Sequence, residues 1–256
     1  MPSLAKADGI CAIQSIISWP YCGIDAEIGV FMAIVSENEP ITIVGGARFS
    51  HELLLESLEW APVVYAADGG ANLCMQYGCQ PKQVIGDLDS LSPSLRSELA
   101  PSRVAYVAEQ DTTDFEKLLI RVDAPLMLAV GFMGGRIDHQ MAVQTVLAAY
   151  AHRKIICVGE QDVMFVSPPE INLILDVGTR VSLYPVAPVQ VRSTGLYWAT
   201  DELHFAPDGQ IGTSNQAMGP VSLIPSEPRM LVVLPKTCLD IAIDAVQAAP
   251  YWDAPI

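Results

Sequence analysis

The stretch ITIVGGARFSHELLLESLEWAPVVYAADGGANLCMQYG (41–78) decides the fold. ITIVG (41–45) and VVYAA (63–67) are short apolar runs rich in β-branched residues, bounded by Gly, Asp and Pro, and they read as strands. HELLLESLEW (51–60) and ANLCMQYG (71–78), which follow them, carry apolar residues at helical spacing. Strands alternating with helices of this length form βαβ units and a mostly parallel sheet. Working outward, QVIG (83–86), RVAYV (103–107), PLMLAVG (125–131) and KIICVG (154–159) continue the strands. SPSLRSELA (92–100), TDFEKLLIRV (113–122) and RIDHQMAVQTVLAAYA (136–151) continue the helices. Such crossovers are almost always right-handed, so the strand ends share one edge.

The rhythm changes near Gly159–Asp162. DVMFVSP (162–168), INLILDV (171–177), RVSLYPV (180–186), VQVRSTG (189–195), ELHF (202–205), PVSLIP (220–225) and RMLVVLP (229–235) are short runs punctuated by Pro, Gly, Asp and Asn. They predict an antiparallel sandwich or barrel, with no helical period after about residue 160. The expected domains are therefore 39–160 and 161–256. Residues 1–38 stand apart. ICAIQSIISWPYCGIDAEIGVFMAIV (10–35) is apolar but interrupted by Pro20, Asp25, Glu27 and glycines. It is too broken for a membrane span and a poor signal peptide. It reads as an N-terminal extension, disordered or not native, with Met32 a candidate start.

Half of the 256 residues are hydrophobic and 17% are charged, the balance of a folded globular chain. A formal charge of −15 argues against nucleic acid or an anionic membrane as partner. Six cysteines without a C-x-x-C pair, and only four histidines, argue against zinc and for reduced thiols in a cytoplasm.

Acidic residues gather where strands end. Asp68 follows the second strand, Asp87 and Asp89 follow the third in IGDLDS (85–90), and Asp111 and Asp114 follow the fourth in EQDTTDFEKLL (109–119). On one sheet edge they converge on the crevice where open α/β sheets bind ligands. Clustered carboxylates of this kind hold Mg²⁺ against a phosphate substrate. In extended chain Asp87 and Asp89 would point the same way. Thr113 and Glu116 form a capping box, which starts a helix whose positive end faces the crevice, with Lys117 one turn in. GFMGGRIDHQMA (131–142) supplies a glycine-rich turn with Arg136, Asp138 and His139, and ADGGAN (67–72) supplies Gly69 beside Asp68. Arg48 in VGGARFS (44–50) faces either phosphate or solvent. Taken singly, each string is equally a turn or a cap. Together they predict a metal-dependent phosphate enzyme.

In this order and spacing, ADGGAN, IGDLDS, the D-x-T-D-F-E-K-x-L pattern (111–119) and GGRIDH (134–139) resemble the thiamine pyrophosphokinase family. GLYW (195–198) and GTSNQA (212–217) extend the resemblance into the second domain, over roughly residues 41–234. The resemblance implies a Rossmann-like α/β nucleotide domain followed by a β-sandwich thiamine domain. It implies a cytoplasmic homodimer that moves the diphosphate group of ATP, with Mg²⁺, onto the hydroxyl of thiamine. Matched position by position, it makes Asp87, Asp89, Asp114 and Gln110 catalytic, with Asp87, Asp89 and Asp111 on the metal. Asp68, Gly69, Lys117, Arg136 and Asp138 fall on the nucleotide side, and Trp198, Ser214 and Asn215 on the thiamine side. One departure is Val143, where the family often carries Asn. The competing readings are another Mg²⁺-dependent phosphotransferase or nucleotide hydrolase, and a non-catalytic thiamine- or nucleotide-binding regulator.

Overall fold

A computed structural model describes residues 35–107 and 111–254. In chain order its elements are β1 (Val35–Ser36), β2 (Ile41–Val44), α1 (His51–Trp60), β3 (Val63–Ala67), α2 (Asp68–Gln76), β4 (Gln83–Gly86), α3 (Pro93–Glu98), β5 (Val104–Tyr106), α4 (Asp114–Arg121), β6 (Val122–Asp123), β7 (Met127–Val130), α5 (Ile137–Ala149) and β8 (Ile155–Val158). There follow β9 (Asp162–Val166), β10 (Ile171–Leu173), β11 (Arg180–Pro185), β12 (Val189–Leu196), β13 (His204–Phe205), β14 (Gly212–Pro225), β15 (Met230–Pro235) and α6 (Leu239–Ala248).

The strands β8-β7-β2-β3-β4-β5 pair in parallel. Their side chains alternate between two cores. Ile41, Ile43, Tyr65 and Ile85 pack with α4 and α5 on one face, through Phe115, Leu118, Val146 and Leu147. Val44, Val64, Ala66 and Val84 pack with α1, α2 and α3 on the other, through Leu53, Leu54, Cys74 and Leu95. Helices on both faces are what a parallel sheet requires, because it has no face to show to water. Helix starts follow their caps: Ser50, Ser92 and Thr113 each accept from the backbone N–H three residues on.

The expected pair of separate sheets is corrected here. Gly159 N–H donates to the Asp162 carbonyl (2.9 Å), closing a tight turn that lays β9 antiparallel on β8. The sheet then runs on through β15, β11, β14, β12 and β13, with β10 alongside β14, so that among the described residues thirteen strands form one mixed sheet. The long strand β14 serves two neighbourhoods. Its first half pairs with β11, and its second half lies between β10 and β12.

Two further expectations are corrected. Helical structure does return after residue 160, as α6, where Leu239, Ala242, Ile243 and Val246 are buried at the i, i+3, i+4, i+7 spacing of one helix face. The chain joins the fold before residue 39, because β1 pairs in parallel with β6 and the Glu37 carboxylate accepts from Tyr65 and Lys82. The rest of the proposed extension, 1–34, lies outside the described residues.

Gly70 fixes how closely α2 seats on the sheet. A Cβ there would overlap the Val44 carbonyl oxygen, which is rigid strand backbone. Gly70→Ala is expected to destabilise the fold by about 3 kcal/mol. Gly209→Ala, whose Cβ would find its nearest neighbour at 3.6 Å, should be near neutral; urea unfolding of both variants checks the contrast.

Candidate active site

From β2 the chain runs outward through β3, β4 and β5, then returns to the other side of β2 for β7 and β8. The strand order therefore reverses between β2 and β7. That switch point opens a crevice at the carboxyl ends of the strands. A cavity of about 590 Å³ lies there. Glycine lets its walls approach: a Cβ on Gly45 would stand 2.5 Å from the Gly131 carbonyl oxygen, and Gly131 itself holds φ +76°.

Three helix N-termini end on this cavity, represented in its lining by Gly69 of α2, Thr113 and Asp114 of α4, and Gly135 and Arg136 of α5. The first N–H groups of a helix have no partner within it and carry a partial positive charge, so these ends suit anions. Neither α2 nor α5 has a side-chain cap. Arg48 and Arg136 add positive groups to the lining, and His139 adds an imidazole.

Asp68, Asp87 and Asp89 each present a carboxylate oxygen, and the three lie within 4.8 Å of one another. Asp68 opens α2 and is buried. Its Oδ1 has no hydrogen-bond partner and occupies the space that a side chain at Gly86 would fill. Burial pushes the Asp68 carboxyl up to about 6, opposed by its own backbone N–H and reinforced by the negative Asp114 and Asp87. For Asp87 burial also acts upward, but the Lys117 ammonium, the Asp89 N–H and Asp68 outweigh it and the carboxyl falls below its ordinary value. Asp114 is raised by burial and by Asp87 and Asp89, against Lys117 and His139.

Lys117 sits at the centre of this charge set. It is only 4% exposed, donates to Asp87 Oδ2 at 3.2 Å and stands 3.8 Å from Asp114 Oδ1. A buried ammonium survives only when paired.

Asp87 and Asp89 come together as expected, but through a turn rather than an extended chain. Leu88, between Asp87 and Asp89, has φ +63° and is buried, so the two acids flank a turn. Asp89 N–H reaches Asp87 Oδ1 at 3.4 Å, a long contact consistent with that turn. Asp111, expected on the metal, is exposed and stands outside the three-carboxylate group, whereas Asp68 stands inside it. Gln110 lies outside the described residues. Thr113 caps α4, accepting from Glu116 N–H at 3.3 Å. Arg136 and Asp138 are exposed at the rim and form a two-pronged ion pair, Nε to Oδ1 at 3.1 Å and Nη2 to Oδ2 at 2.6 Å.

Several site features escaped the sequence reading. Phe115 and Phe132 pack at 4.6 Å between ring centroids and, with Val143, make an apolar wall of the cavity. Asn72 bridges α2 to the acidic loop. Its position one helical turn beyond Asp68, on the same side of α2, is the signal that was available.

The residues expected on the thiamine side gather elsewhere. Tyr197 and Trp198 are exposed and meet edge to face at 4.7 Å. Asn215 is buried. Its Oδ1 accepts from Trp198 N–H (3.1 Å) and its Nδ2 donates to the Trp198 carbonyl (2.8 Å), so it fixes the tryptophan backbone. Ser214, at φ +61°, donates its N–H to Ser182 Oγ at 3.0 Å. None of Trp198, Ser214 and Asn215 lines the large cavity of the single chain.

Residues 54–158 match the family model described as thiamin pyrophosphokinase, catalytic domain. Thiamine pyrophosphokinase 1 of Oryza sativa subsp. japonica is 28% identical over 173 residues, which cover 60% of this chain and 65% of that relative, just under two thirds. Thiamine pyrophosphokinase 1 of Arabidopsis thaliana is 25% identical over 240 residues, 77% of this chain and 90% of the relative. Among solved structures, the thiamin pyrophosphokinase of Geobacillus thermodenitrificans superposes with a TM-score of 0.64 at 26% identity, covering 77% of this chain and 96% of its own. The yeast thiamin pyrophosphokinase shares the fold, with a TM-score of 0.67 at 17% identity over 86% and 96% of the two chains. The family-model match falls on the strands and helices that build this cavity, and over them the chain is similar to thiamine pyrophosphokinases.

Proposed function

We propose that the protein is a thiamine diphosphokinase: it transfers the diphosphate group of ATP to the hydroxyl of thiamine, giving thiamine diphosphate and AMP. The observation that carries this reading is the three-carboxylate group, whose chain neighbours Gly69 and Ser90 line a cavity on which helix N-termini end. Anionic phosphates suit the N–H groups and Arg48 and Arg136, while the carboxylates suit a cation that bridges to them.

The carboxylates fit Mg²⁺. The buried Asp68 Oδ1 has no other partner, and hard cations take oxygen donors of this kind. Asp68, Asp87 and Asp89 would hold the ion, which supplies charge neutralisation on the phosphate oxygens. The chain's own residues do the rest. The helix ends and Arg136 orient the donor, and the apolar wall of Phe115, Phe132 and Val143 suits its base. The thiamine oxygen forms a bond to the β-phosphorus as the bond from that phosphorus to the bridging oxygen of AMP breaks. The hydroxyl proton passes to Asp114, whose raised pKa makes it a better acceptor than an ordinary carboxylate. Lys117 balances Asp87 and Asp114 more directly than it meets phosphate. Most of the catalysis is positioning and electrostatics.

The acceptor site is proposed at Trp198, whose exposed ring offers a cationic heteroaromatic both stacking and cation–π attraction. Because Trp198 does not line the cavity of its own chain, the reading includes a homodimer in which one copy brings Trp198 to the other's phosphates. Free thiols at Cys74, Cys79, Cys157 and Cys238 support a reducing cytoplasm as its location. No helix among the described residues is long and apolar enough to cross a membrane.

The deciding experiment is detection of AMP from ATP and Mg²⁺ with and without thiamine. AMP that appears only with thiamine supports the reading; phosphate release without thiamine overturns it. Asp89→Ala is expected to lower turnover at least a hundredfold with an unchanged melting temperature, since Asp89 is exposed and contributes little to packing. Trp198→Ala should raise KM for thiamine about tenfold and leave KM for ATP within twofold, which initial-rate kinetics would show. Asp68→Asn should stop turnover yet stabilise the metal-free protein at pH 8. The native carboxyl titrates near 6 rather than near 3.8, so the native state holds the extra proton and wild type loses stability as pH rises through that window. The asparagine variant is spared that loss, of the order of 1–3 kcal/mol. Thermal melts in chelator at pH 4.5 and pH 8 check it, with the advantage expected only at the higher pH.

A further inference from the structure

The three carboxylates come from two separate pieces of chain. Asp68 is on α2, whereas Asp87 and Asp89 are on the loop between β4 and α3. The shared cation of the proposed function needs these pieces in fixed register. Asn72 makes the connection. Its Nδ2 donates to the Ser90 carbonyl at 2.8 Å, and its Oδ1 accepts from Ser92 N–H at 3.0 Å. The same Nδ2 lies 3.5 Å from the Asp68 carbonyl, one turn back along α2. One amide therefore reads both the donor and the acceptor of the acidic loop from the helix that carries the third acid.

The loop needs holding. Leu88 adopts φ +63°, a conformation that costs a branched residue energy, and persists only where the surroundings impose it. Leu88 and Leu91 are buried in the core that also contains Ala71 and Cys74 of α2, so they anchor the loop's apolar side in that core. These anchors fix depth, and apolar contacts carry little directional information. The two hydrogen bonds of Asn72 fix where Ser90 and Ser92 stand along the loop, and with them the direction of Asp89. Ser92 is also the cap of α3, so the contact sets the end of the loop as well.

We propose that Asn72 is a positioning residue that holds the Asp87–Ser92 loop in register with Asp68, so that the three carboxylates share one divalent cation. It touches neither substrate nor metal. The inference rests on the metal-binding reading of the carboxylates, and groups that orient metal ligands typically matter about 10- to 100-fold in affinity.

The test is direct binding of Mn²⁺, followed by electron paramagnetic resonance of the free ion at 10 °C, for wild type, Asn72→Ala and Asn72→Ser, each shown to be folded by circular dichroism. Both variants are expected to bind about tenfold more weakly. In turnover assays they should need about tenfold more Mg²⁺ for half-maximal rate, with KM for thiamine unchanged. Affinities within twofold of wild type overturn the proposal. So does a fall in rate that tracks the folded fraction while the Mg²⁺ requirement stays put, because that marks a merely structural role. Wild type that binds no Mn²⁺ removes the metal site and this proposal with it. Wild type that binds Mn²⁺ but makes no AMP removes the diphosphokinase reading alone, and the binding comparison still decides the role of Asn72.

Discussion

A single buried ammonium makes the acidic cluster tolerable. Two like charges about 5 Å apart in a protein of effective dielectric 20 repel by about 3 kcal/mol. Asp68, Asp87 and Asp89 stand that close, with Asp114 also raising Asp68. Lys117 meets this with one charge placed between Asp87 and Asp114, close enough to hydrogen-bond the first. The consequence is an uneven sharing of protons: Asp87 is held ionised while Asp68 and Asp114 are pushed upward. Lys117 reaches this place because α4 starts at the Thr113 cap, and its first turn delivers Asp114 to the cavity and Lys117 beneath it. Neither side of the ion set is stable alone, since removing the lysine leaves carboxylates uncompensated and removing Asp87 strands a buried cation.

The sheet topology gives this cluster its opening. A reversal of strand order between β2 and β7 leaves the carboxyl ends of two strands without a crossing connection above them. The glycines at 45 and 131 let the two loops meet there, and Gly70 lets α2 descend onto β2. Asp68, carried on the first turn of α2, is lowered with it into the space left beside Gly86. Backbone approach, helix seating and the burial of an orphaned carboxylate oxygen are thus one event. Continuing the sheet into β9 and β15 matters for a different reason, because it joins the antiparallel half to the parallel half through one ladder of strand hydrogen bonds.

Much of this was legible in the residues. Residues 41–158 show strands and helices in the order and at nearly the bounds that the apolar spacing predicts, because the central strands β2, β3, β4, β7 and β8 are buried almost throughout and so keep unbroken apolar runs. The first half of β14 was not legible. GTSNQA is polar and turn-like, and its buried positions are Asn215 and Ala217, neither of which signals a strand. Helix α6 alternates small and large apolar residues with Asp, so its period is easily taken for irregular chain. At the site, the pairing of Asp87 with Asp89 was visible locally, but the place of Asp68 in their group depends on how far α2 sinks toward β4. That depth is set by Gly70 and Gly86, through contacts between residues distant in sequence. Asp111 reads as well as Asp68 in a list of acids, yet it is exposed and stands outside the three-carboxylate group.

On the proposed reading, a net charge of −15 does not keep an anionic donor out of the crevice. Charges farther away than a Debye length of about 8 Å are screened at physiological salt, whereas dipoles and ions inside a walled cavity are not. A phosphate chain entering the crevice meets three helix ends and two arginines at close range, and only a faint average of the distant surface. On the same reading, a cationic heteroaromatic is held at contact range instead, by stacking and cation–π attraction to the exposed rings of Tyr197 and Trp198. Each ligand is thus selected by groups that touch it, which salt screens least, and the average charge of the surface decides neither.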